Sequence, residues 1–250
     1  MTSTEFTGTP ALVTGASRGF GRAIATSLTE AGADVIGVAR DAGQLRDLRA
    51  EVGGSFTPVT ADAADPVAAG LLIDAYRPRV LVLNAGAAPL MRPIQQHSWA
   101  SFSRNWDVDV QHVFCWTREA LLAPLSPGST VIALSSGAAL RGSPLSGGYA
   151  GAKATIRFIT SYAAAESART GLGIRFISVL PQLTPDTALG APAVAAYAAR
   201  EGLDVPTFLG RSGPALTAAQ VGATVTRLIS DPGADQDAYL LTAAGLSPLK

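Results

Sequence analysis

The chain has 250 residues, 48% of them hydrophobic and 15% charged, with 19 basic residues offsetting 19 acidic ones. That supply of apolar residues suffices for one large α/β domain or two small ones, and it excludes a disordered or polyelectrolyte chain. Zero net charge without a basic cluster argues against nucleic acid, and no apolar run approaches the roughly 18–20 residues of a membrane span.

Residues 1–10 are polar and lack the apolar core of a secretory leader. After them, short aliphatic runs alternate with Ala-rich amphipathic stretches. Strands are expected at 11–14, 34–39, 55–60, 80–83, 130–134, 174–180 and 239–242, and helices at 21–31, 44–52, 67–76, 99–122 and 149–170. Asp65-Pro66 is a helix entry, an N-cap followed by proline in the first turn; Gly32 and Gly171 are helix stops. The alternation implies a parallel sheet of about seven strands with helices on both faces, a doubly wound α/β fold in one domain over residues 1–250.

The exception is the segment 182–214, punctuated by Pro185, Pro192, Pro206 and Pro214 and carrying Leu183, Leu189, Tyr197, Phe208 and Leu209. A long insert at a strand's carboxyl end is where a substrate lid sits. The other reading is a surface excursion with one short helix at 193–200.

Thr14-Gly15-Ala16-Ser17-Arg18-Gly19-Phe20-Gly21 follows the first strand and opens the first helix. Glycines there permit a tight turn and let backbone N–H groups approach a pyrophosphate at the helix N-terminus. The second strand ends in Ala39-Arg40, where an NAD-selective site generally has a carboxylate for the ribose 2′-OH. Two guanidinium groups, Arg18 and Arg40, favour a 2′-phosphate instead, so NADP(H) is the expected cofactor.

Further along, Tyr149 and Lys153 stand four residues apart, thirteen residues after Ser136, in a chain whose lysines are Lys153 and Lys250. On a helix that spacing puts phenol and ammonium on one face. The single cysteine, Cys115, leaves no internal disulfide and fits a reducing, cytoplasmic setting. It and Phe114 read as core or interface, and Trp99, Trp106 and Trp116 as packing residues. His97 and His112 are separated and form no metal-ligand constellation, so no metal is expected.

Taken together, these motifs resemble the short-chain dehydrogenase/reductase superfamily in its single-domain form, from the Thr14–Gly21 turn to the last strand. The resemblance implies a Rossmann-type sheet and hydride transfer between NADP(H) and a carbonyl or alcohol. It implies that Asp62 and Ala63 lie near the adenine, and that Asn84-Ala85-Gly86 is the turn after strand four. Ser136, Tyr149 and Lys153 match the catalytic Ser, Tyr and Lys. Tyr149 would be the general acid/base, Lys153 would lower its pKa, and Ser136 would orient the carbonyl. The family's fourth catalytic residue, an Asn, is matched by Asp109, either an isosteric stand-in or an anion that holds Lys153 charged. Where the family has Pro-Gly, Pro181 precedes Gln182; of the threonines that follow, Thr184 is favoured over Thr187 as a cofactor contact. The expected substrate is small and mostly apolar, bounded by residues 87–91, 137–145 and 182–208, although Arg92, Arg141, Arg200 and Arg211 leave an anionic one open. A homodimer or homotetramer through helices 97–123 and 149–170 is implied. The rival expectation is a non-catalytic NADP-binding sensor on the same scaffold.

Overall fold

The computed structural model describes residues 5–211 and 213–249. In chain order it runs β1 (Pro10–Thr14), α1 (Gly19–Glu30), β2 (Asp34–Ala39), α2 (Ala42–Val52), β3 (Phe56–Thr60), α3 (Pro66–Tyr76) and β4 (Val80–Leu83). A 3-10 turn (Ile94–Gln96) then leads to α4 (Trp99–Asn105), a π-helical turn (Trp106–Val110) and α5 (Gln111–Leu122). The second half comprises β5 (Thr130–Leu134), α6 (Ala138–Arg141), α7 (Gly147–Thr170), β6 (Arg175–Pro181), α8 (Gly190–Arg200), α9 (Val205–Gly210), α10 (Ala218–Ser230), β7 (Ala238–Thr242) and β8 (Gly245–Pro248).

The sheet order is β3-β2-β1-β4-β5-β6-β7-β8. The first seven strands are parallel, and β8 pairs antiparallel with β7. The sequence therefore undercounts by one: the eighth strand is a short return whose glycine, serine and proline carry no strand signal. Central strands β1, β4 and β5 are buried on both faces, which is why they read as continuous aliphatic runs. Edge strand β3 is mostly exposed and tolerates Pro58.

One core layer packs α1 and α10 on the sheet through Ile24, Leu28, Val221 and Val225; the other packs α3, α5 and α7 through Ile73, Trp116 and Ile156. The α1–α10 approach is close: a Cβ on Gly222 would lie 2.4 Å from the Ala23 carbonyl oxygen. Helix α10 was not foreseen, although Val221, Val225, Leu228 and Ile229 repeat at helical spacing and Thr217 with Gln220 forms a capping box. Asp65 does cap α3, accepting from Val67 N–H with Pro66 in the first turn, and Gly171 ends α7 at φ +66°.

Three expectations are revised in detail. The helix foreseen at 99–122 is broken by the π-helical turn into α4 and α5. The insert folds into two short helices, α8 and α9, whose Tyr197 and Phe208 rings stack. Trp116 is fully buried, but Trp99 is 77% exposed and Trp106, in the π-helical turn beside Gly151 of α7, is 41% exposed. Among the described residues, no helix is long and apolar enough to cross a membrane.

Candidate active site

The strand order reverses between β1 and β4, so the loops leaving their carboxyl ends diverge and open a crevice there. A cleft of about 650 Å³ lies along these ends. Of the catalytic and cofactor-binding residues singled out from sequence, all but Gly21 line it.

At the β1–α1 turn, Gly15 and Gly19 adopt φ of +67° and +55°. Gly21 lies behind the lining: a Cβ there would sit 2.1 Å from the Gly15 carbonyl oxygen and 2.4 Å from Asn84 Nδ2, so only hydrogen fits. Asn84 Nδ2 donates to the carbonyls of Thr14 (3.2 Å) and Gly15 (3.3 Å), while Thr14 Oγ1 accepts from the N–H groups of Asn84 and Ala85. The glycine turn and the Asn-Ala-Gly turn are thereby stitched into one unit. Arg18, at the N-cap of α1, makes no side-chain cap bond, so the first-turn N–H groups, which have no intrahelical acceptor, are not covered by it. Beside them a second concavity is bounded by Ser17, Arg18, Arg40, Asp41, Ala42 and Gln44. Asp62 Oδ1 accepts from Ala64 N–H, and the Ala63 carbonyl accepts from Trp116 Nε1 at 2.9 Å, which anchors this loop to α5.

Across the crevice, Ser136 follows β5, and Tyr149 and Lys153 project from the first two turns of α7. That helix is seated by Gly148, where a Cβ would lie 2.0 Å from the Phe102 carbonyl oxygen. Lys153 Nζ donates to the Leu134 carbonyl (3.1 Å), faces Asp109 Oδ2 at 3.3 Å and lies 5.6 Å from the Tyr149 ring centroid. Asp109 comes from the π-helical turn and is fully buried. Its Oδ1 accepts from Ala87 N–H at 2.7 Å, whereas Oδ2 has only the Lys153 charge, without a well-directed hydrogen bond. Burial presses the Lys153 ammonium towards neutrality, but the charges of Asp109 and Tyr149 outweigh it and leave the pKa above the ordinary lysine value. Asp109 thus stands within ion-pair distance of Lys153.

Sequence reasoning missed His112, which also lines the cleft. It is fully buried, its Nε2 lies 3.0 Å from Thr14 Oγ1, and its Nδ1 has no hydrogen-bond partner among the described residues. Burial, then the nearby Lys153 charge, lowers its pKa to about 3, so the ring is neutral at ordinary pH. Its position three residues after Asp109, on the same helical face, was the available signal. Gln182 lines the cleft but turns its Nε2 to the Pro214 carbonyl, 3.3 Å away. Thr184 is buried and donates its hydroxyl to the Leu216 carbonyl, and Thr187 Oγ1 accepts from Gly190 N–H at the start of α8.

The short chain dehydrogenase family pattern matches residues 9–198, and the chain belongs to that family. It is 35% identical over 130 residues to D-erythrulose reductase of Gallus gallus, covering 51% of this chain and 52% of that enzyme. To carbonyl reductase [NADPH] 2 of Sus scrofa it is 36% identical over 110 residues, 44% of this chain and 45% of that one. The matched segments thus span about half the length of these relatives. Among solved structures, a short chain dehydrogenase from Burkholderia cenocepacia J2315 in complex with NADP superposes with a TM-score of 0.78 at 27% identity, covering 92% of this chain and 94% of the other. The chain is accordingly a member of an oxidoreductase family with a mostly parallel, helix-flanked sheet.

Proposed function

We propose that this chain is an NADP(H)-dependent oxidoreductase that moves hydride between the nicotinamide and a small carbonyl or alcohol substrate with a largely apolar body. One observation carries the reading: Tyr149, Lys153 and Ser136 share one wall of the crevice that the glycine turn opens, with Lys153 fixed by Leu134 and Asp109.

The residues present fit a phosphorylated dinucleotide. Gly15 and Gly19 give the backbone turn that a pyrophosphate needs at the N-terminus of α1. Arg18 and Arg40 bound a concavity beside Ser17 where a 2′-phosphate would meet two guanidinium groups. Asp62 and Ala63 would flank the adenine. The NADP-bound neighbour and the NADPH-named relative support the same choice. The cofactor supplies or accepts the hydride. On the protein side, Ser136 and Tyr149 hold the substrate oxygen. In reduction the Tyr149 hydroxyl gives its proton to that oxygen; in oxidation the phenolate takes it back. Lys153 holds its ammonium 5.6 Å from the Tyr149 ring centroid, beside the group that exchanges the proton. Asp109 acts through Lys153 and is a positioning residue. The insert 182–214 serves as the lid, its Leu183 and Leu189 presenting apolar surface to the substrate opposite Met91 and Leu140.

The test is NADPH consumption against aldehydes, ketones and quinones. Tyr149→Phe is expected to lower turnover about 10²–10⁴-fold, the scale of one positioned acid, while NADPH still binds. Tight NADPH binding with no Tyr149-dependent turnover on any of them would favour the non-catalytic sensor instead.

A further inference from the structure

The cations that line the cleft are unevenly placed. Arg18 and Arg40 follow β1 and β2 and face the proposed ribose end, where Asp62 also lies. Lys153 is matched by Asp109. Arg141 stands on the other side of the crevice, at the end of α6, five residues beyond Ser136. Asp62 and Asp109 are the acidic residues among the described lining, so no carboxylate faces Arg141 there. Arg141 is solvent-exposed, and outside the cleft Arg22, Arg77, Arg118, Arg169 and Arg211 form ion pairs with acidic side chains. Of the four arginines that sequence left as anion contacts, Arg92, Arg200 and Arg211 do not line the cleft.

A second observation concerns the wall beside Arg141. The loop that follows it is polar and fixed: Ser143 Oγ contacts Ser146 Oγ at 2.7 Å, accepts from Ser146 N–H, and bonds the Tyr197 hydroxyl of α8. The insert is therefore latched to the site wall next to an unmatched guanidinium, whereas Leu140, Leu183 and Leu189 line the space nearby. An apolar stretch ending at a planar cation matches a ligand with a hydrocarbon body and one terminal carboxylate.

We infer that the substrate is an oxo acid or the corresponding hydroxy acid, its carboxylate held by Arg141 while its carbonyl or hydroxyl meets Ser136 and Tyr149. This rests on the proposed hydride-transfer reading and narrows its substrate class from apolar to apolar with one anionic end.

The experiment uses the full chain with NADPH and compares acetoacetate and levulinate, each beside its methyl ester. One of the acids is expected to exceed its ester in kcat/KM by about tenfold or more, the scale of a hydrogen bond to a charged group. Arg141→Met is expected to remove that ratio through KM, and Arg141→Lys to restore part of it. Calorimetry of each acid with the NADPH complex supplies a readout apart from turnover. Tyr149-dependent turnover without an acid preference overturns the carboxylate assignment alone. Acid binding that Arg141→Met abolishes, with no turnover, supports the anion site and takes down the oxidoreductase reading instead. Failure of both acids to bind, or binding that Arg141→Met leaves unchanged, overturns the inference.

Discussion

The two walls of the crevice are built by different means. On the side of β1 and β4, turn meets turn through side-chain bonds to backbone: Asn84 Nδ2 and Thr14 Oγ1 join two loops 70 residues apart, and Gly21 leaves no room for a methyl group. On the side of the insert, α8 is held to the loop before α7 by hydroxyls and to α9 by stacked rings, and Leu183 and Leu189 remain 43% and 37% exposed. A wall anchored to backbone atoms on both turns and closed by a glycine contact suits a ligand that is always the same. One fixed by side-chain hydroxyls can part and re-form at low cost. The difference teaches where rigidity and adaptability are to be sought in this molecule.

The contrast can be broken most severely at Gly21. Gly21→Ala forces backbone apart and is expected to destabilise the chain by about 2–3 kcal/mol and to weaken NADPH binding, measurable by urea denaturation and fluorescence titration. An unchanged midpoint would mean that the stitched turns are not rigid. Next in size, Arg40→Ala is expected to lower the NADPH-over-NADH preference about tenfold in kcat/KM. An unaltered ratio would remove Arg40 from the ribose site.

Asp109→Asn tests the hinge between the two walls. Without the carboxylate, burial is no longer outweighed and the Lys153 pKa falls, so the alkaline limb of the pH–rate profile moves to lower pH. The sign follows because a raised pKa keeps the ammonium charged further into alkali. Superimposable profiles would deny Asp109 any electrostatic role. The smallest effect is expected from Tyr197→Phe, which deletes the latch to Ser143 and, by about 1 kcal/mol, favours the open insert. It should raise KM with little change in melting temperature; a large stability loss would show the insert to be structural.

What was legible in the sequence follows the same division. Glycines, prolines and aliphatic runs encode local backbone demands, so the β1–α1 turn, the Asp65 cap and the buried strands could be read directly. Tyr149 and Lys153 were legible because one helix carries both. Contacts that join distant segments left no local trace. Ser143 meets Tyr197 across 54 residues, and His112 meets Thr14 across 98. The π-helical turn was hidden because its sequence, Trp106–Val110, has ordinary helical periodicity. Strand β8 was hidden because only pairing with β7 makes it a strand.

Pro58 lies in the outermost strand at one end of the sheet and Pro248 in the outermost strand at the other. Each removes an amide donor from a margin to which a foreign strand would otherwise zip. Copies of this chain that meet one another are thereby steered away from continuous cross-molecular sheets. The outward aromatic side chains of α4, α5 and α7 carry no such guard: Trp99, Phe114, Phe158 and Tyr162 are more than half uncovered.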